Sequence, residues 1–458
     1  NALGQPVRNL ATSDPTPGAN LRLSLDASLQ RVGQLALQHS ITLTGSPGGA
    51  FIAMNPDNGR VYAMGSQPSF DPDIFTGNLT NREYDSLTRA SSNYPLLNRA
   101  IQSAGPTGST FKPITATAAL ESGEWSPDET FDDTGQYCVG SGAAQQCRHN
   151  AGHSADGVLN LSQAIQVSSD DFFYHLGALL NPNDPLQHLD GGPLQEWATR
   201  FGIGRRTGID LPGEASGTLP SPRWRIGRNE AEHQCDTATG HYRYSSPDGK
   251  QSGPVRLKGW HRSPKHAPGG CGIADGQNRP WSIGDDESLA VGQGDVQVTP
   301  LQLAVAYAAL ANGHEIVTPH LGLDIQDPAG RVLQSITPKP ARSIDINQAY
   351  LDEIRTGLRD AASQTGGTSA DVFGNFPEQV YGKTGTAQYG VPGVSESDYA
   401  WYACFVPSSA TSKPIVVVVW VEKGGFGAVG AAPVARQILS QWFFNRPGPY
   451  VAGSSHTL

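Results

Sequence analysis

Three short segments, far apart in the chain, carry side chains suited to nucleophilic catalysis. The first is Gly108-Ser109-Thr110-Phe111-Lys112-Pro113. Ser109 and Lys112 are three residues apart, so on a helix they share a face. Pro113 is tolerated only in a first helical turn, which places Ser109 at a helix N-terminus. Unpaired backbone N–H groups and the positive end of the helix dipole stabilise negative charge there. A serine hydroxyl is a weak nucleophile, and a neighbouring neutral amine activates it by taking its proton. Burial or a nearby cation lowers a lysine pKa toward that neutral form. Of the eight lysines in the chain, only Lys112 has a serine three residues before it. A pair at this spacing also arises by chance about once in a chain of this size. Alone, it is better described as an ordinary first helical turn with an exposed lysine.

The second segment is Ser168-Ser169-Asp170, between the helical NLSQAIQV and the apolar FFYHLG. Ser168 and Asp170, two apart in a turn, both reach one cleft, and a hydroxyl there relays a proton. Taken alone the same residues make a helix cap. The third is Gly382-Lys383-Thr384-Gly385-Thr386, inside the strand-like QVYGKTGTAQYG. A glycine in a strand lets another backbone approach closely. Lys383 supplies a fixed cation, and the threonine hydroxyls bind a carboxylate. Gly-Lys-Thr also ends a phosphate-binding loop, but that loop needs a glycine five residues earlier. Pro377 stands there, and the segment lies in a strand, so nucleotide binding is excluded.

The elements that must position these segments follow from periodicity. Residues 28–39, 160–166, 301–313 and 346–362 read as helices, as does AAPVARQILSQWFF. Residues 49–55 and 60–66 read as strands around the turn Asn55-Pro56-Asp57-Asn58-Gly59. Further strands are expected at 378–388, 399–405 and 415–421. Strands at both ends and helices between them, chiefly over 110–210, predict one mostly antiparallel sheet with an inserted helical region. Residues 1–20 read as a linker, 21–447 as the catalytic domain, and 448–458 as a tail. Residues 223–281, with ten Lys/Arg and five Asp/Glu, read as a surface insertion.

Composition narrows the function. The chain has 458 residues, 32 basic and 42 acidic side chains, and a net charge of −10. A nucleic-acid binder shows a basic domain, so no nucleic-acid partner is expected. The longest apolar run, Ile415 to Val421, is shorter than the roughly 20 residues that cross a bilayer. No signal peptide is visible and the first residue is Asn. That leaves a cytosolic enzyme, or a protein whose membrane anchor lies outside this sequence. Cys138, Cys147, Cys235 and Cys271 lie in loop-like sequence, which fits two disulfides in an oxidising compartment.

Taken in order, S-x-x-K, S-x-D and K-T-G-T match the motif set of penicillin-binding proteins and serine β-lactamases. The sequence resembles the transpeptidase domain of class B penicillin-binding proteins from about residue 20 to 447, interrupted at 223–281. AFIAMNPDNGRVYAMGSQPSFDP, GIDLPGEASGTLPSP and AVGQGDVQVTPLQLAVAYAALANG carry the likeness beyond the motifs. Cys138…Cys147-Arg148-His149…Gly152-His153, followed by SSDDFFYHLG, is similar to the penicillin-binding protein 2 subgroup.

The resemblance implies an α/β (α+β) fold with a five-stranded, mostly antiparallel sheet flanked by helices and an all-helical subdomain. It implies a peptidoglycan D,D-transpeptidase acting on D-Ala-D-Ala stem peptides. Ser109 would attack and form an acyl-enzyme, Lys112 would take its proton, and Ser168 and Lys383 would return one to the departing D-Ala. Backbone N–H groups of Ser109 and Thr386 would form an oxyanion hole, where one donor is worth about 3–4 kcal/mol. Lys383, Thr384, Gly385 and Thr386 would hold the terminal carboxylate, and β-lactams would be trapped on Ser109. It further implies a single-pass membrane protein with this domain outside the cytoplasm, a membrane glycosyltransferase partner, and no cofactor.

Two features depart from the common family pattern. Asp170 replaces the usual Asn and would keep Lys112 protonated. Ser169 stands where some relatives place a zinc-ligating Cys. An oxidising compartment favours a Cys138–Cys147 disulfide over a Cys2His2 zinc site with His149 and His153, or over free thiols; Cys235–Cys271 is a second candidate bridge. Cys404 reads as a buried apolar residue. A β-lactamase, a D,D-carboxypeptidase and an inactive scaffold are the rival functions. No loop carboxylate stands out to activate a hydrolytic water, and every motif hydroxyl and amine is present.

Overall fold

The computed structural model describes residues 17–142, 145–182, 184–231, 280–388, 398–409 and 413–454, plus the backbone of 232–239 and of 244–245, 252–253, 258 and 261–262. The first helix is α1 (Ala27–Thr44), whose first N–H groups are capped by the Asp26 carboxylate. A hairpin follows, β1 (Gly49–Met54) and β2 (Val61–Gln67). In its turn Asn55 Oδ1 accepts from the N–H groups of Asp57 and Asn58, and Gly59 has φ +76°. The helical region holds α2 (Lys112–Ser122), α3 (Leu161–Val167), α4 (Asp170–Leu179) and α5 (Pro300–Asn312). Then come α6 (Gln348–Ser363), β3 (Tyr381–Ala387), β4 (Tyr399–Val406), β5 (Ile415–Val421) and α7 (Ala432–Phe444).

The five strands form one antiparallel sheet in the order β3-β4-β5-β1-β2. Two-residue alternation splits its side chains between two cores. Ile52, Met54, Ala403, Phe405, Val416 and Val418 face the helical region and α5. Phe51, Ala53, Tyr402, Cys404, Val417 and Val419 face α1 and α7. β5 lies at the centre and is covered on both faces, which is why it reads as an unbroken apolar run. β3 lies at the edge, so the strand bearing Lys383 is open to another element on one side.

Several expectations need correction. Asn20 is not linker: Asn20–Leu23 is a strand paired antiparallel with Gly322–Gln326. The stretch 110–210 is not only helix and loop. Phe131–Asp133 pairs with Gly157–Leu159, and Gln136–Val139 pairs with Gln146–His149. Strands of three or four residues are too short to show alternation. The insertion begins as a helix, Pro222–Thr239, anchored by Arg225 Nη2 to Asp285 Oδ1 and Asp295 Oδ2 at 3.1 and 2.6 Å. Most of its remainder, and the Cys235–Cys271 pairing, lie outside the described residues. The tail packs as far as Ser454, whose Oγ donates to Asp371 Oδ2 at 2.7 Å. No helix among the described residues is long and apolar enough to cross a membrane.

Candidate active site

Ser109 lies in a 3-10 turn, Gly108–Phe111, that runs into α2 with Pro113 in its first turn. The Lys112 N–H donates to the Ser109 carbonyl, so the two residues stand above one another. The turn is seated by the segment preceding α5. Thr107 and Gly108 N–H both donate to the Gly292 carbonyl, at 3.0 and 2.9 Å. The Tyr307 hydroxyl donates to the Thr110 carbonyl at 3.0 Å, and Thr115 Oγ1 to the Ala290 carbonyl at 2.8 Å.

The second motif closes over Lys112. Ser168 ends α3 in left-handed backbone, φ 65°, and Asp170 opens α4. Lys112 Nζ donates to the Ser168 carbonyl (2.7 Å), Ser168 Oγ (3.2 Å) and Asp170 Oδ1 (2.7 Å). Three acceptors match the three hydrogens of an ammonium group, and the Phe173 ring lies 5.3 Å away. Burial pushes the Lys112 pKa down; the carboxylates of Asp170, Asp133 and Asp156 pull it back up.

The third motif arrives from the edge strand. Lys383 pairs across from Ala403, and Gly385 across from Trp401. A Cβ on Gly385 would lie 2.3 Å from the Thr107 carbonyl oxygen, and one on Gly108 2.4 Å from that of Thr386. The strand and the nucleophile turn therefore touch backbone to backbone, and only glycine permits it. Lys383 is fully buried, and its Nζ donates to the Thr384 carbonyl at 3.4 Å. Its pKa is driven well below the ordinary lysine value by burial and then by the Lys112 charge.

Thr384 and Thr386 alternate away from Lys383. Thr384 Oγ1 donates to Thr368 Oγ1 at 2.7 Å, and Thr386 Oγ1 accepts from the Gly427 N–H at 3.3 Å. Gln293 bridges the strand end: its Nε2 donates to the Thr386 carbonyl and its Oε1 accepts from the Gln388 N–H, at 3.1 and 3.2 Å. Cys138 and Cys147 form a disulfide, so the Cys2His2 alternative loses its sulfur ligands. Cys404 is buried in β4, as expected.

Sequence reasoning missed Asp133, Asn150 and Gln293. Asp133 sits in an acidic stretch and Asn150 in a loop, with no local pattern to mark them. The bonds that tie them to each other and to the second motif span 17 or more residues: Asn150 Nδ2 donates to Asp133, and Asp133 accepts from Ser169 Oγ.

The arrangement places a hydroxyl, two buried amines and close backbone N–H groups together, a set able to form and release an ester. Comparison with known proteins agrees. The penicillin binding protein transpeptidase domain family model matches residues 49–440. Peptidoglycan D,D-transpeptidase MrdA of Acinetobacter baumannii is 28% identical, over 98% of this chain and 58% of its own length. The chain thus spans little more than half of that curated relative. A crystal structure of Pseudomonas aeruginosa PBP2 in complex with WCK 5153 is 30% identical, with TM-score 0.70 over 93% of this chain and 79% of that one. A structure described as coordinating polymerization and crosslinking in a peptidoglycan synthase complex is 30% identical, with TM-score 0.74 over 98% of this chain and 67% of that one.

Proposed function

Because this chain belongs to the penicillin-binding protein transpeptidase family, we propose that it is a peptidoglycan D,D-transpeptidase of the penicillin-binding protein 2 type. Ser109 Oγ attacks the penultimate D-Ala carbonyl of a stem peptide while its proton passes to Lys112, which has first yielded one to Lys383. The oxyanion is met by the backbone N–H groups of Ser109 and Thr386. Departing D-Ala takes a proton by way of Ser168 and Lys383, leaving an ester on Ser109. An amine from a neighbouring stem peptide then takes the acyl group, restoring Ser109 and forming the crosslink. A β-lactam acylates the same serine and stays.

The carrying observation is the contact of the Gly385–Thr386 backbone with the Ser109 turn while Lys112 binds Ser168 and Asp170. With three acceptors around it, Lys112 is an ammonium in the resting site; it becomes a base only once it yields a proton. Lys383, held well below the ordinary lysine value, is the amine best placed to receive one. Thr384, Gly385 and Thr386 line the carboxylate end, and an arriving carboxylate competes with Thr368 for the hydrogen of the Thr384 hydroxyl.

The catalytic domain works outside the cytoplasmic membrane, which the Cys138–Cys147 disulfide supports. It is carried there by a single membrane-spanning anchor outside this sequence. Its partner is a membrane glycosyltransferase, as the synthase complex of the 30%-identical relative suggests by its described role. Intact-protein mass spectrometry after benzylpenicillin tests the core of this reading. One stable adduct on the peptide holding Ser109, absent from Ser109→Ala, is expected. No adduct would refute it, and rapid loss of the adduct would point to a β-lactamase. Defined stem peptides with an amine acceptor then separate crosslinking from simple hydrolysis.

A further inference from the structure

The turn that carries Ser168, Ser169 and Asp170 joins two helices, and Ser168 occupies backbone rare for a residue with a Cβ. Two side chains outside the motifs brace it. Asn150 Oδ1 accepts from the backbone N–H groups of both Asp170 and Asp171, each at 2.8 Å. Its Nδ2 donates to Asp133 Oδ1 and Oδ2, at 2.8 and 2.9 Å, and to the Ser154 carbonyl at 2.9 Å. Asp133 Oδ2 accepts from Ser169 Oγ, and Oδ1 from the Gly135 N–H. Ser169 Oγ in turn accepts from the Phe172 N–H, capping α4. Asn150, Asp133 and Ser169 are all buried.

The brace has a rigid arm. Asn150 follows directly on the disulfide-closed hairpin, and its N–H donates to the Gly135 carbonyl at the hairpin base. Arg148 fixes that hairpin to the neighbouring helix through Glu287 Oε2 and the Gly284 carbonyl, both at 2.8 Å.

We propose that Asn150 and Asp133 are positioning residues for acyl transfer, locking the Ser168–Asp170 turn so that its hydroxyl and carboxylate meet Lys112. The proposal rests on the transpeptidase reading of this site. An amide is needed at position 150 because it accepts two N–H bonds on its oxygen and donates to a carboxylate from its nitrogen. A carboxylate there would face Asp133 with no proton between them. The corner is already crowded with charge. Asp156, Asp170 and Asp171 share it with the Lys112 ammonium, and burial and Asp133 both push the Asp156 and Asp171 carboxyls up. An added acid would have to share a proton with Asp133.

The test uses the full chain with Asn150→Ala and Asn150→Asp. Acylation by a fluorescent penicillin is followed from about pH 5 to pH 8, separating the maximal rate from the dissociation constant. Hydrogen exchange is followed on peptides covering Asp170 and Asp171. For Asn150→Ala the maximal rate is expected to fall about 100-fold, with the dissociation constant changed less than about threefold and amide protection lost. Asn150→Asp should show a similar loss at neutral pH and recover at least about tenfold relative to the parent as pH falls. Acylation within about threefold of the parent, or an Asn150→Asp deficit equal at every pH, overturns the proposal. Should Asn150→Ala not fold, the near-isosteric Asn150→Asp decides by the same pH criterion. If the parent takes no penicillin, the transpeptidase reading fails instead. Exchange at Asp170 and Asp171 then judges the brace alone, and protection unchanged by Asn150→Ala or Asn150→Asp overturns it.

Discussion

The second and third motifs serve one site but are held in opposite ways. Every residue of β3 from Tyr381 to Ala387 is in register with β4, so Lys383 is placed by backbone pairing. The close approach of that strand to the Ser109 turn depends on Gly108 and Gly385 having no side chain. The Ser168–Asp170 turn has backbone bonds only from the Ser168 and Ser169 N–H groups to the Ala164 carbonyl, and is otherwise placed by the side chains of Asn150, Asp133 and Ser169. A ladder tolerates loss of any one side chain because the backbone bonds remain. A side-chain brace does not, since removing one member leaves buried polar partners unsatisfied. The third motif should therefore be vulnerable to added bulk, and the second to deleted or altered polarity.

Gly385→Ala presses this contrast hardest. Its methyl group meets the Thr107 backbone, which cannot swing aside, so the strand must shift from the nucleophile turn. Penicillin labelling should fall about 100-fold and stability by about 1–3 kcal/mol; labelling equal to the parent's would show that the contact is not tight. Asp170→Asn acts on charge. Burial lowers the Lys112 pKa and Asp170 raises it, so losing the carboxylate lowers it further. If acylation needs neutral Lys112, its rise with pH should move to lower pH. An unmoved or oppositely moved profile would take Lys112 out of the rate-determining proton transfer.

Thr384→Val removes the hydroxyl bonded to Thr368 but keeps the strand. It should lower acylation efficiency only several-fold, on the order of one hydrogen bond or about 1 kcal/mol; a hundredfold loss would make that hydroxyl more than a carboxylate contact. The double change Cys138→Ser with Cys147→Ser should alter acylation least, since Asn150 has its own bonds to Gly135 and Asp133. The closed loop has a sequence separation of 9, and its release costs at most about 2–3 kcal/mol of chain entropy. Thermal melting and labelling of the oxidised parent and the variant give both quantities. A large loss of labelling would mean that the hairpin, not the amide alone, carries the second motif.

Legibility in the sequence followed the range of the interactions. The five sheet strands were visible because β1, β2, β3, β4 and β5 each carry their own alternation, turn or apolar run. The three motifs were visible because each packs its chemistry within a few residues. The strands at 131–133, 136–139, 146–149 and 157–159 were not, being too short for any period to register. The strand Asn20–Leu23, whose first residue fell in the linker reading, has all four residues exposed and so shows no alternation; only its partner strand, with Gln326 opposite Asn20 and 306 residues onward, makes it a strand. Asp133 and Asn150 were silent for the same reason, since a buried amide–carboxylate pair leaves no spacing rule behind.

By itself the sequence determined which groups are available: a serine and lysine one turn apart, a hydroxyl–acid pair, and a glycine-flanked lysine on a strand. These are local properties of residue type and backbone preference. Tertiary structure alone decided that Lys112 is gripped by three acceptors, that Lys383 is stripped of solvent, and that Asn150 braces the turn over Lys112. Proton affinity and hydrogen-bond partnership depend on burial and on atoms brought in from distant segments, and no window of the chain contains either.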